Sequence, residues 1–195
     1  MARDRASREE ARPLRLFVAV DVPEPVRELV AGAFAPWREA FPRARWVPEG
    51  NWHITLKFLG RTWPRLLGWV EERIEEVAGA HRPFRLRVEG IGAFPSPRRA
   101  RVLWAGLHDP EGSLSALARA LDEALRAEFP PERRAFTAHL TVARSDPPIA
   151  LPAAFAEGEV RSEPFRVSAL VLYRSHLQRP APRYEPLRSF PLSGR

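Results

Sequence analysis

Apolar positions along this chain switch between a period of two and a period near 3.6, and the switches mark its elements. Residues 14–20 form a short apolar run that reads as a buried strand, ending at Asp21 and Pro23. Pro25 suits a helix start, and Val26, Leu29, Val30, Ala33 and Phe34 recur at helical spacing until Pro36. Gly50 and Asn51 turn the chain into a strand over 52–59, closed by Gly60. Residues 64–79 carry Leu66, Leu67, Val70, Ile74 and Val77 on one side and acids and arginine on the other, which predicts an amphipathic helix. Phe84, Leu86 and Val88 alternate in a strand over 84–94 that ends in a Pro95-Ser96-Pro97 turn. A strand over 101–107, an amphipathic helix over 113–129 and a strand over 136–144 follow. A proline-rich connection, 146–152, leads to a long strand around 165–174 and a last one near 184–192.

Read in order, the chain states one theme twice: apolar strand, helix, second strand, first over 14–59 and again over 101–144. Both copies end in the same phrase, His53-Ile54-Thr55-Leu56 and His139-Leu140-Thr141-Val142. In a strand, His and Thr of each phrase share one face and lie roughly 6 to 7 Å apart, about the width of a phosphodiester with its ribose oxygens. Imidazole gives or takes a proton near neutral pH, and a hydroxyl donates to a non-bridging oxygen. The other histidines, His81, His108 and His176, have Pro, Pro and Gln two residues on. The duplication predicts two lobes related by an approximate two-fold, with the motif strands facing each other across a cleft.

Neighbours of the motifs are weaker candidates. Lys57 falls on the face of His53 and Thr55 by the period of two, where it would approach a phosphate, although a solvated strand-end lysine has the same pattern. Arg144 is three past Thr141, on the opposite face unless the strand bends. Phe17, on the first strand, could stack a base or simply pack in the core.

Composition narrows the chemistry. The 195 residues suit one substantial domain or two small lobes sharing a core. With no cysteine, disulfide scaffolds, thiolate metal sites and cysteine nucleophiles are excluded. The formal charge is +7, and Lys57 is the only lysine, so the basic side is almost entirely arginine, whose planar fork matches phosphate oxygens. A GC-rich or thermophilic genome would leave the same arginine bias. Residues 1–12 read as a flexible arm, charged and without the apolar stretch of a secretory signal, and no run reaches transmembrane length, so a cytoplasmic protein with no membrane partner is expected.

The residues resemble those of the 2H phosphoesterases, in particular the RNA 2′,3′-cyclic phosphodiesterases historically called 2′-5′ RNA ligases. The likeness lies in Arg15-Leu16-Phe17-Val18-Ala19-Val20-Asp21, in both motifs with their flanks from Asn51 to Gly60 and from Phe136 to Arg144, in Gly92-Ala93-Phe94-Pro95, and in Tyr184-Glu185-Pro186-Leu187. It implies an α+β fold for residues 13–195: one bilobal domain with two antiparallel sheets lining a central cleft and helices outside. It also implies hydrolysis of RNA 2′,3′-cyclic phosphate ends to 2′-phosphomonoesters, with reversible 2′-5′ joining. No metal or other cofactor is implied. The expected partner is an RNA with a cyclic phosphate end, such as a tRNA fragment or an oligonucleotide, met by a monomer.

Such hydrolysis needs a base for water, an acid for the departing 3′ oxygen and donors for the phosphoryl oxygens. His53 and His139 supply the first two, and Thr55 and Thr141 the third. Spacing alone leaves acid and base unassigned; the resemblance implies His53 as proton donor and His139 as acceptor. The alternative function is a non-catalytic module that binds RNA ends. A metallohydrolase is disfavoured because threonine is a poor ligand and no carboxylate or further histidine stands at ligand spacing beside either motif.

Overall fold

A computed structural model describes residues 12–179 and 181–194. Apart from Arg12, the arm expected over 1–12 lies outside the described residues. In chain order the elements are β1 (Leu14–Asp21), α1 (Glu24–Ala40), β2 (Arg45–Trp46), β3 (His53–Thr62), α2 (Leu67–Ala80), β4 (Phe84–Phe94), β5 (Ala100–His108), α3 (Ser113–Ala124), β6 (His139–Ile149), α4 (Ala153–Ala156), β7 (Phe165–Val167), β8 (Ala169–His176) and β9 (Arg183–Pro191). They build an α+β fold with two antiparallel sheets, ordered β3-β1-β8-β9 and β2-β6-β5-β4-β7.

The repeated theme is visible in the pairing. Each apolar strand lies beside the motif strand of its own half, β1 beside β3 and β5 beside β6, after a helical crossover. Ile54 and Leu56 of β3, and Leu140 and Val142 of β6, are buried in an apolar cluster that includes Val30 and Phe34 of α1, Val70 and Ile74 of α2, and Leu117 and Leu121 of α3. His53, Thr55, His139 and Thr141 are thereby left for the opposite faces. None of the described helices is long and apolar enough to cross a membrane.

Several boundaries differ from the sequence expectation. α1 runs through Pro36 to Ala40, because Phe34 and Trp37 on either side of the proline pack edge-on against Phe155, at 6.3 and 5.0 Å between ring centroids. α3 ends five residues before Phe129; the chain turns there, yet Leu125 and Phe129 stay buried, so the apolar spacing outlasts the helix. The expected strand over 165–174 is two strands broken at Ser168, one in each sheet. β6 begins at His139 and continues to Ile149, into the proline-rich stretch.

The feature that matters most for the site is a bulge at the same place in both motif strands. Thr55 pairs with Ala19 and Lys57 with Val18, leaving Leu56 extra. Thr141 likewise pairs with Trp104 and Ala143 with Leu103, leaving Val142 extra. A bulge reverses the alternation beyond it. Both residues after each Thr are therefore buried, Leu56 with Lys57 and Val142 with Ala143, and the third returns to the cleft face: Phe58 in one half, Arg144 in the other.

Candidate active site

His53, Thr55, His139, Thr141 and Arg144 line one cavity of about 180 Å³ between the sheets. The motif strands β3 and β6 touch each other there. Thus the four motif residues converge, and the bulge in β6 corrects the expected placement of Arg144 on the opposite face.

Each imidazole is fixed by the backbone just before it. His53 Nδ1 lies 2.8 Å from the Asn51 carbonyl, and His139 Nδ1 lies 2.7 Å from the Thr137 carbonyl. A carbonyl oxygen only accepts, so both Nδ1 atoms carry the hydrogen, and in the neutral ring Nε2 keeps its lone pair. Aromatic neighbours complete the orientation. Phe17 stacks on His53 at 4.7 Å with Tyr184 edge-on at 5.1 Å, and Phe94 meets His139 edge-on at 5.2 Å.

Charge distinguishes the two halves. Burial is the main cause that lowers the His53 pKa to about 4; the Asn51 carbonyl and Asp21 oppose it, while Arg144 and His139 act in the same direction as burial. His139 is also pushed down, first by burial and then by Arg144. The unliganded cleft therefore holds both rings neutral at pH 7, and an anion between them is the charge that would protonate one.

Asp21 is directly opposite His53 on β1 and accepts a hydrogen bond from the Tyr173 hydroxyl at 2.6 Å. Its counterpart opposite His139 is Gly106. There a Cβ would come within 2.4 Å of the Glu89 carbonyl oxygen, so that half has no room for a side chain, let alone a carboxylate.

One expectation needs correction. Lys57 does not share the cleft face: the bulge turns it inward to 1% exposure, where Nζ donates to Asp122 of α3 and, at 2.8 Å, to the Pro130 carbonyl. Phe17 takes the second of its two readings, packing: it is 3% exposed and its ring is enclosed by those of His53, Tyr173, Tyr184 and Phe58, so it supports the imidazole and is covered against a base. Sequence reasoning passed over Asp21, Phe58, Phe94 and Tyr184. Phe94 and Tyr184 sit inside phrases that carry the family likeness, but their contacts with the histidines come from other strands, and no local pattern shows them.

The folded arrangement is that of the 2H phosphoesterase fold shared by LigT. Over 93% of this chain and 99% of the other, the structure superposes on TT0787 of Thermus thermophilus with a TM-score of 0.79 at 30% identity. Escherichia coli LigT complexed with 3′-AMP gives 0.68 at 30% identity over the same shares. The 2′-5′ RNA ligase superfamily model matches residues 22–179, and the chain belongs to that superfamily. Among curated relatives, an RNA 2′,3′-cyclic phosphodiesterase of Archaeoglobus fulgidus is 38% identical over 91% of this chain and 99% of its own. One from Geobacillus stearothermophilus is 32% identical over 91% of this chain, which spans only 57% of that longer relative.

Proposed function

We propose that the protein hydrolyses RNA 2′,3′-cyclic phosphate ends to 2′-phosphomonoesters, using His53 as acid and His139 as base without a metal. The observation that carries this reading is two imidazoles with Nε2 available and Nδ1 locked, lining one cavity with the hydroxyls of Thr55 and Thr141 and the guanidinium of Arg144. Neutral His139 takes a proton from water as its oxygen bonds to phosphorus. The P–O3′ bond breaks, and protonated His53 gives its Nε2 proton to the departing O3′, leaving the phosphate on O2′. Thr55, Thr141 and Arg144 donate to the phosphoryl oxygens as charge builds there.

Asp21 supports the assignment of His53 as the acid. A carboxylate beside one ring and none opposite the other favours the imidazolium on the Asp21 side once the substrate's negative charge offsets the cost of burial. With an RNA 5′-hydroxyl in place of water, the same groups would join ends through a 2′-5′ linkage: the 5′ oxygen bonds to phosphorus as His139 takes its proton, and the P–O3′ bond breaks as His53 protonates O3′. The donors around the cavity are imidazole, hydroxyl and guanidinium, and among the described residues no three His, Cys, Asp or Glu side chains converge as ligands, so charge on the phosphoryl oxygens falls to Thr55, Thr141 and Arg144.

The test is incubation of an oligonucleotide ending in 2′,3′-cyclic phosphate with the protein in EDTA, then identification of the hydroxyl that keeps the phosphate. A 2′-phosphate formed at an undiminished rate is expected. A 3′-phosphate would contradict the direction of attack, loss of activity on chelation would contradict metal independence, and tight binding with no turnover would make the protein a module that binds RNA ends.

A further inference from the structure

A second concavity, an open groove of about 890 Å³, adjoins the histidine cavity. The two share Val47, Arg144, Pro182 and Tyr184 in their linings, so the groove is a continuation of the site. It runs between the short edge strand β2 and the tip of the β8–β9 hairpin. Arg45 and Trp46 belong to β2, which pairs with β6 so that Arg45 is opposite Arg144. Arg179 comes from the hairpin.

The groove is held in place by the site itself. Asn51, whose carbonyl fixes His53, donates through Nδ2 to the Pro182 carbonyl at 2.6 Å. Trp46 is pinned by its indole N–H on the Phe41 carbonyl at 3.1 Å and by the Arg38 guanidinium 5.5 Å from its ring. The charges, by contrast, are unspent: among the described residues Arg45, Arg144 and Arg179 form no ion pair.

The histidine cavity is smaller than the roughly 300 to 1,000 Å³ of an ordinary small-molecule pocket, so a ligand larger than a phosphoryl group and its ribose edge must extend out of it. Its exits differ in chemistry. One passes Phe58 and Leu177, which are 58% and 70% exposed, and suits the flat face of a base. The other is the groove, which offers guanidinium groups and suits phosphates. An RNA with a cyclic end continues only through its O5′, so its next negative charge is the phosphodiester on that side.

We propose that the groove binds the RNA strand on the 5′ side of the cyclic phosphate, with Arg45 and Arg179 on upstream phosphodiesters, and that the protein therefore selects oligonucleotides over cyclic mononucleotides. This rests on the reading of the histidine cavity as the cyclic-phosphate site. Both arginines are exposed and line the groove but not the histidine cavity, so their removal leaves the acid and base in place.

The experiment compares the intact protein with the Arg45→Ala/Arg179→Ala variant on a cyclic mononucleotide and on a pentanucleotide ending in cyclic phosphate. The double variant is expected to lose roughly tenfold or more in kcat/KM for the pentanucleotide, through KM, and nothing for the mononucleotide. The slope of log kcat/KM against log salt for the pentanucleotide should flatten by about 1.4, about 0.7 for each phosphate left without its arginine. Equal losses on both substrates, or no loss on either, would overturn the proposal. A protein inactive on both substrates overturns the proposed function instead. The groove is then judged by pentanucleotide binding, which must weaken and lose salt dependence in the double variant, and unchanged binding would refute it.

Discussion

Replacing His53 or His139 with alanine is expected to lower turnover of a cyclic-phosphate RNA end by about 10²- to 10⁴-fold, the usual contribution of a positioned acid or base. Each ring is only partly exposed and makes one hydrogen bond, to a carbonyl two residues earlier, so its loss should leave the fold intact. RNA affinity should stay within a few-fold, because Thr55, Thr141, Arg144 and the groove remain. The two variants should differ in their pH profiles: His53→Ala loses the limb that requires an acid, and His139→Ala the limb that requires a base. The double variant should be little worse than either single one, since the two rings act on one transition state. Full activity in either single variant would remove that histidine from the mechanism.

The largest effect on stability is expected at Lys57. Its ammonium is 1% exposed and donates to Asp122 and to the Pro130 carbonyl, while Asp122 also accepts from the Glu132 backbone N–H at 2.9 Å. One buried cation therefore ties β3, which carries the first motif, to α3 and to the segment that leads into the second. Lys57→Met should cost about 3 to 5 kcal/mol, as expected when one partner of a buried pair is removed, with the low end favoured because Asp122 keeps 22% of its side chain exposed. In a domain of this size that is a loss of roughly 2 to 4 °C in Tm per kcal/mol. Adding Asp122→Leu should recover part of it, since no unpaired charge is then left behind. Denaturant unfolding checks both. A Lys57→Met protein as stable as the parent would mean that the ion pair contributes nothing.

These two sites also show what a sequence exposes and what it withholds. The paired His-x-Thr phrases were legible because they sit in clean alternation, and alternation fixes a shared face without knowledge of the partner strand. The same rule failed one step further on. Lys57 was expected in the cleft and Arg144 outside it, and the structure exchanges them because each motif strand carries an extra residue. That bulge is set by cross-strand register with β1 and β5, which the motif strand alone does not encode. The partner of Lys57 is 65 residues away on another element, so no local pattern announces its burial.

Chain breaks were legible where proline or glycine marked them and hidden where packing decided. The apolar run over 165–174 has the pattern of one strand, yet Ser168 is where the chain leaves one sheet for the other. Pro36 has the pattern of a helix stop, yet α1 continues, held by aromatic contacts with α4. The difference between the two halves of the site was likewise invisible in two near-identical phrases. It resides in their neighbours, Asp21 and Gly106, which only strand pairing brings opposite the histidines.

The most direct test is histidine ¹⁵N NMR of the protein titrated with a 2′-nucleotide, the proposed product, across pH. Without ligand, both rings should be neutral at pH 7 with hydrogen on Nδ1, and His53 should titrate near 4. Binding of the phosphate should raise both pKa values, so that affinity increases as pH falls from neutral towards 4, with a proton taken up on Nε2. His53 and His139 should respond together, with a single dissociation constant, because the proposed mechanism places one phosphorus between them. If only one ring responds, or the two respond at different ligand concentrations, the imidazoles do not flank a common phosphate and the mechanism fails.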